Sequence, residues 1–456
     1  MAARTSYSCE LAWLGGDRAV ADVLVEVDGA LIVGVRPGGP APPDTIRLPG
    51  LTLPGFANAH SHAFHRALRG RTHDGVGSFW TWRDQMYRLA ATLDPDSYRR
   101  LARAVFAEMA LAGITCVGEF HYLHHQADGT PYHDPNAMGD ALLGAAHDAG
   151  IRITLLDACY LRGGIGRDRA DEPPNDVQRR FCDAGVDAWI ERMDTLVNTR
   201  NRPGVMVGGA VHSVRAVDPR SIERIAGWVG SQDLPLHAHV SEQPAENQVC
   251  AEAYGVTPTE LLAERGALVP RFTAVHATHL TEHDVRTLGL RHASVCMCPT
   301  TERDLADGIG PSGRFRDAGV RISLGTDSHA VVDMFEEARA MELDERLSTN
   351  VRGTHGVASL LAAATADGHH CLGWDAAGRI AVDAIADLVT VDLASVRTAG
   401  TSPEHALATA IFAATATDVR HVVAGGRVVV RDGHHVEIDV ARELDAAIGA
   451  VWRAVG

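Results

Sequence analysis

Four groups of histidines and acids fall in order along this chain of 456 residues. His60-Ser61-His62 follows Pro54-Gly55-Phe56-Ala57-Asn58-Ala59. His237-Ala238-His239-Val240-Ser241-Glu242 lies near the middle. Val275-His276-Ala277-Thr278-His279 comes next, then Leu324-Gly325-Thr326-Asp327-Ser328-His329. Each closes a short apolar, β-branched run, where a strand would stop. Residues i and i+2 of a strand face one side, so His60 and His62 present two imidazoles to one point. A third imidazole and a distant carboxylate complete a donor set that suits a divalent metal. An acid just beyond the third histidine can carry protons. Together these are the parts of a metal-dependent hydrolase.

Singly, the motifs are weak. With 24 histidines in the chain, roughly one His-x-His arises by chance. His369-His370 and His434-His435 read as loop residues. His237 and His239 share a strand face, so spacing alone does not choose between them as ligands. Glu242, taken alone, reads as a solvated acid opening a helix, where it suits the dipole. Cys296-Met297-Cys298 turns both sulfurs to one side of a strand. They could bind a soft metal, but buried reduced thiols are the preferred reading. Asp333 reads as a helix-start residue. The order of four strand-end motifs carries the inference.

Strands are expected at Thr52–His60, Thr115–His121, Arg152–Tyr160, Val205–Ser213, Pro235–Glu242, Phe272–His279, Ala293–Thr301 and Arg321–Ser328. Amphipathic helical stretches lie between them: Ser97–Ala112, Asn136–Ala149, Gln178–Thr199, Pro219–Val229, Thr257–Glu264, Glu282–Leu288 and Pro311–Ala318. Phe335–Leu347 follows the eighth strand. Eight such units predict a closed (β/α)8 barrel, with its chemistry at the C-terminal strand ends. No Gly-x-Gly-x-x-Gly supports an open doubly wound sheet. The two chain ends read differently. Ala21–Val35 makes two strands about an Asp28-Gly29 turn, Ala386–Asp392 another, and Val422–Val430 a hairpin with Gly425-Gly426 at its turn. The expectation is an α/β protein: a catalytic barrel over 53–377, and a small β-sandwich domain from 1–52 and 378–456. Gly38–Asp44 would be a loop of that domain.

A formal net charge of −16 argues against nucleic-acid or anionic-membrane partners. An anionic substrate would then need locally placed arginines. Met1–Leu14 lacks the basic-then-apolar pattern of a signal peptide, and no run reaches the length of a membrane span. Eight scattered cysteines without Cys-x-x-Cys fit the cytoplasm.

The motif order resembles the amidohydrolase superfamily, in its mononuclear deaminase branch, over nearly the whole chain. More specific are Ser78-Phe79-Trp80-Thr81-Trp82-Arg83, Glu119-Phe120-His121-Tyr122-Leu123-His124-His125 and Val211-His212-Ser213-Val214-Arg215. These resemble the formimidoylglutamate deiminases of histidine degradation. Where that family has glutamine at a substrate-contacting position, this chain has His65.

The resemblance implies His60, His62, His239 and Asp327 as ligands of one metal, zinc foremost and iron the alternative. It leaves His237 as packing and places His279 outside the site. Such a metal would lower the pKa of water towards about 7. Glu242 would shuttle protons, and His276 and Asp327 would orient the attacking oxygen. A dicarboxylate, N-formimidoyl-L-glutamate, would be bound by Arg83 and Arg215, with His65, Tyr122 and His212 as hydrogen-bonding contacts. His65 is either such a contact or a plain structural change in the loop after the first strand; the contact role predicts pH-dependent affinity near 6.5. The resemblance also points to a homodimer. A nucleobase deaminase of the guanine deaminase type shares the metal set but has no need of the two arginines. A non-catalytic scaffold has no use for the intact metal set.

Overall fold

The computed structural model describes residues 4–39, 41–73, 76–166, 171–200 and 202–456. Pro40, in the expected Gly38–Asp44 loop, and the first three residues of the Met1–Leu14 segment lie outside these.

The chain opens with four strands, β1 (Thr5–Ala12), β2 (Val20–Asp28), β3 (Leu31–Pro37) and β4 (Ile46–Pro54). Then come β5 (Phe56–Ser61), β6 (Ile114–His121) and β7 (Arg152–Cys159), and a two-residue ladder of β8 (Gly164–Ile165) and β9 (Asp171–Glu172). β10 (Val205–Val211), β11 (Leu236–Val240), β12 (Phe272–His276), β13 (Ser294–Met297) and β14 (Arg321–Leu324) follow. The chain ends with β15 (Leu388–Val391), β16 (Val419–Ala424), β17 (Arg427–Arg431), β18 (His434–His435) and the helix Val440–Val455.

Eight strands form one parallel sheet in the order β14-β13-β12-β11-β10-β7-β6-β5. A bridge between Ser61 and Asp327 closes it into the expected barrel. The closure is tight: the Asp327 amide donates to His60 O at 3.0 Å, and the His62 amide donates to Asp327 O at 3.2 Å. Two of the sequence motifs thus meet at the seam. The strands are buried on both faces, as parallel strands under helices must be; β7 has no exposed residue.

The helices are positioned by their caps. Asp94 caps Pro95–Leu111 by accepting from the Ser97 amide at 2.7 Å, and Gly150 ends Ala137–Ala149 at φ +76°. The expected Gln178–Thr199 helix is a short 3-10 turn, Gln178–Arg180, and a separate helix, Val186–Arg200. The break lets Phe181 turn into the interior. Asp333 starts Met334–Thr349 as expected, accepting from the Phe335 amide at 2.9 Å.

The expected Thr52–His60 strand is two strands. β4 belongs to the terminal sheet and β5 to the barrel, and the chain changes sheets at Gly55. A Cβ there would lie 2.3 Å from Thr115 Oγ1, which only glycine avoids. The terminal sheet runs β18-β17-β16-β15-β4-β1-β2-β3, with β1 and β4 parallel and the other pairs antiparallel. It folds back on itself. The Ile32 amide donates to Ala384 O at 2.8 Å, and the Ala386 amide to Ala30 O at 2.8 Å. Its core gathers Tyr7, Val23, Val25, Ile32, Leu48 and Leu388. The C-terminal helix leaves this sheet and packs on the barrel, where Trp452 Nε1 donates to Ala67 O at 2.8 Å.

A helix at Ala366–Cys371 plugs the N-terminal end of the barrel. His237 Nε2 donates to Cys371 O at 3.0 Å, and Thr154 Oγ1 donates to Leu372 O at 2.8 Å. His369 is therefore no loop residue. It is fully buried, with Nε2 3.2 Å from Arg152 Nη2, and Arg152 in turn donates to Asp387 at 2.8 Å. A buried ion pair needs its remaining polar atoms satisfied, and the helix supplies that partner. His434 and His435 form the edge strand β18.

Candidate active site

At the opposite end of the barrel, His60 and His62 leave β5, His239 leaves β11 and Asp327 follows β14. Their donor atoms converge. Asp327 Oδ1 lies 3.2 Å from His60 Nε2 and 3.4 Å from His62 Nε2, and His239 Nε2 lies 3.2 Å from His60 Nε2. Two of the three tautomers are set by the backbone. His62 Nδ1 donates to Phe120 O and His239 Nδ1 to His212 O, each at 2.9 Å. A carbonyl only accepts, so both Nε2 atoms face inward as lone pairs. Burial favours the neutral imidazole at His60, His62 and His239. Burial alone would raise the Asp327 carboxyl, but contacts with His60 and His62 hold it well below its ordinary value. Inward lone pairs and an anionic oxygen, packed this closely, are a donor set that a divalent cation would reconcile. His60, His62 and Asp327 can hold one ion, as can His60, His239 and His276.

His237, on the same strand face as His239, sits one layer deeper and is taken by Cys371 O. His279 lies to the side, its Nε2 donating to Asp307 O at 2.7 Å. Of the pair His237/His239, the structure brings only His239 to the cluster.

Glu242 and His276 flank the cluster. His276 Nε2 is 3.8 Å from Glu242 Oε1, and its ring stacks on His239 at 5.6 Å between centroids. Burial pushes the Glu242 carboxyl up to about 7, against the opposing pull of His276. Burial would lower His276, but Glu242, Glu302 and Asp327 raise it well above its usual value. The strand ends that carry these groups are strained. Ser241, His276, Ala277 and Asp327 have φ of +52°, +65°, +53° and +40°. Each costs on the order of 1–3 kcal/mol, which the barrel walls must sustain.

All five expected substrate-contacting residues line one cavity beside the cluster: His65, Arg83, Tyr122, His212 and Arg215. Glu242, His276 and Asp327 open onto the same space. Arg83 comes from the helix Phe79–Ala90, which forms one wall. Its guanidinium lies over the Trp80 ring at 4.4 Å and faces no carboxylate among the described residues. Arg215 Nε pairs with the buried Glu246 at 3.1 Å, and Glu246 also accepts from the Ser241 amide at 3.1 Å. That contact ties the Arg215 loop to the strand end bearing Glu242. His65 Nε2 shares a 2.9 Å hydrogen bond with Tyr122 Oη. Burial pushes the His65 imidazole down to about 3. Burial beside Tyr122, Trp82 and Phe64 thus favours the neutral ring, against the expected titration near 6.5.

Tyr87, Tyr160 and Phe181 carry no motif in the sequence; with Trp82 they make the cavity aromatic on one side. Glu119 accepts from Ser61 Oγ at 2.6 Å and the Ala63 amide at 2.7 Å, fixing the turn after His62. His124 and His125 point away into a buried network in which Arg192 bridges Asp157 and Asp183. Cys296 and Cys298 are buried free thiols, as preferred. No helix among the described residues is long and apolar enough to cross a membrane.

A parallel barrel with this donor cluster at its C-terminal strand ends is a hydrolase architecture, and the chain belongs to the amidohydrolase family, whose sequence model matches residues 51–429. It is thereby a hydrolase acting on C–N bonds. Formimidoylglutamate deiminase of Pseudomonas aeruginosa is 37% identical over 421 residues, 90% of this chain and 91% of that protein. A 5-methylthioadenosine/S-adenosylhomocysteine deaminase of Natronomonas pharaonis is 30% identical over 96% of this chain and 88% of that protein. An amidohydrolase from Brucella melitensis superposes with a TM-score of 0.89 at 31% identity, over 98% of this chain and 100% of that one. A zinc-bound adenosine deaminase from Xanthomonas campestris gives 0.83 at 25% identity, over 99% and 98%.

Proposed function

We propose that the protein hydrolyses N-formimidoyl-L-glutamate to N-formyl-L-glutamate and ammonia. The observation that carries this reading is the pair of guanidiniums, Arg83 and Arg215, in the cavity beside the cluster. A linear amidine bearing two carboxylates matches two arginine forks and a hydrolytic centre. The 37% identity to the Pseudomonas deiminase supports it.

His60, His62, His239 and Asp327 would hold one divalent metal, with zinc the first choice for this nitrogen and oxygen set. When bound, it supplies Lewis acidity for water activation. Glu242 takes a proton from the attacking water as the oxygen adds to the amidine carbon. A carboxyl pushed up to about 7 serves as both acceptor and donor near neutrality. It then returns the proton to the departing nitrogen, and the C–N bond breaks. His276 donates from Nε2 towards the reacting centre, and Asp327 orients the water. His65 fixes Tyr122, and Tyr122 and His212 present polar groups to the substrate chain.

The aromatic wall of Trp82, Tyr87, Tyr160 and Phe181 favours a second reading, stacking of a purine before deamination. Ammonia release separates the two. Turnover of N-formimidoyl-L-glutamate, with 5′-methylthioadenosine, S-adenosylhomocysteine and guanine inert, supports the first. Turnover of a purine substrate alone replaces it.

A further inference from the structure

Glu302 stands in the helix Pro299–Asp304, outside the four sequence motifs. It is 3% exposed, and among the described residues no lysine or arginine pairs with it. One oxygen, Oε1, makes both of its polar contacts. It accepts from the Cys298 amide at 2.9 Å and lies 3.4 Å from His276 Nδ1. The backbone contact fixes the carboxylate, and the carboxylate faces the imidazole. On the ring's far side, Nε2 looks to Glu242 at 3.8 Å. His276 sits at φ +65°, on a strand end whose backbone alone does not dictate ring orientation.

We propose that Glu302 is the positioning residue of His276: it holds the proton on Nδ1, fixes the ring plane and so aims Nε2 into the cavity. A buried carboxylate cannot donate when ionised, so it accepts from Nδ1–H. The bond at Nδ1 fixes the ring plane, so that Nε2 of the doubly protonated ring points its N–H into the cavity. Without Glu302, Nδ1–H would be a buried donor with no acceptor, and the ring would gain by rotating. The relation is that of a carboxylate orienting a catalytic imidazole, with the acid outside the proposed donor set of His60, His62, His239 and Asp327.

This rests on the role given to His276 above, so the test separates the two. Five zinc-loaded proteins are compared on formimidoylglutamate: parent, Glu302→Met, Glu302→Gln, His276→Asn and the double variant Glu302→Met/His276→Asn. Methionine keeps the volume and removes the acceptor; glutamine keeps a neutral acceptor. We expect Glu302→Met to lower kcat about 10- to 100-fold, with KM within about threefold and zinc content unchanged. Glu302→Gln should recover most of that loss. In the His276→Asn background, Glu302→Met should cost nothing further, because the two act as one unit. A purely structural role would alter yield and melting temperature and leave kcat per folded molecule alone. Parent-like kcat in folded Glu302→Met overturns the proposal, as does a full further loss in the His276→Asn background. Parent-like kcat in His276→Asn overturns the prior reading of His276 instead. Should Glu302→Met not fold, nitrogen-15 histidine spectra of the parent decide. An Nδ1-protonated His276, assigned by its absence in His276→Asn, is the expected result, and an unprotonated Nδ1 overturns the proposal.

Discussion

Replacing Arg83 with methionine tests substrate recognition with the least collateral change. Arg83 has no acidic partner among the described residues, so its removal strands no protein carboxylate. What it loses inside the protein is its contact with the Trp80 and Tyr87 rings, and methionine keeps much of that packing. The cost on substrate is then the charge-assisted bond alone, about 1.5–3 kcal/mol, or about 10- to 150-fold in kcat/KM. Arg215→Met is a harsher change. It leaves the buried Glu246 unpaired, and Glu246 holds the Ser241 amide one residue before Glu242. Its effect should exceed that of Arg83→Met and extend into kcat. The assay is coupled ammonia release with formimidoylglutamate, with zinc measured on the same samples and expected to be unchanged. Formimidoyl-aspartate, one methylene shorter, should be a poor substrate, because both carboxylates cannot then reach their arginines. If Arg83→Met matches the parent in kcat/KM, the paired-arginine argument fails and the substrate proposal loses its physical support.

Three further outcomes are expected. His60→Ala or Asp327→Ala should lose bound metal, whereas Glu242→Gln should keep it and lose turnover; metal analysis beside steady-state rates decides, and parent-like turnover in Glu242→Gln refutes the proton role. His65→Gln should leave both activity and the pH profile of KM nearly unchanged, since the parent imidazole is already neutral across pH 5–8; a new or vanished inflection near 6.5 would contradict this. Arg152→Met should destabilise the fold by about 3–5 kcal/mol in urea unfolding, because Asp387 stays buried without its partner; a loss under about 1 kcal/mol would refute it.

The sequence was most legible where pattern and chemistry are local. Apolar runs ending in His60, His239, His276 and Asp327 disclosed both the barrel strands and the end at which they meet. Hairpins at Asp28-Gly29 and Gly425-Gly426 disclosed the terminal sheet. What escaped depends on contacts distant in sequence. Gly55 looks like part of one strand, and only the crowding by Thr115 reveals a change of sheet. His369 looks like loop because its partners, Arg152 and Asp387, are far along the chain. Glu302 and Glu246 carry no motif; their significance lies in which imidazole and which guanidinium they face. His65 was read with the pKa of a solvated ring, and the enclosure that overrides it comes from three separate segments.

The left-handed turns at Ser241, His276, Ala277 and Asp327 occur where glycine would be the comfortable residue. Two of these positions instead carry side chains that the proposed reaction needs. Selection for stability alone would replace them: a glycine at 276 would relax the backbone while removing the imidazole. The backbone strain at the site is therefore carried for chemistry, and the packing around His276 and Asp327 must offset it. Thermostability screens that ignore turnover would be drawn to these very positions.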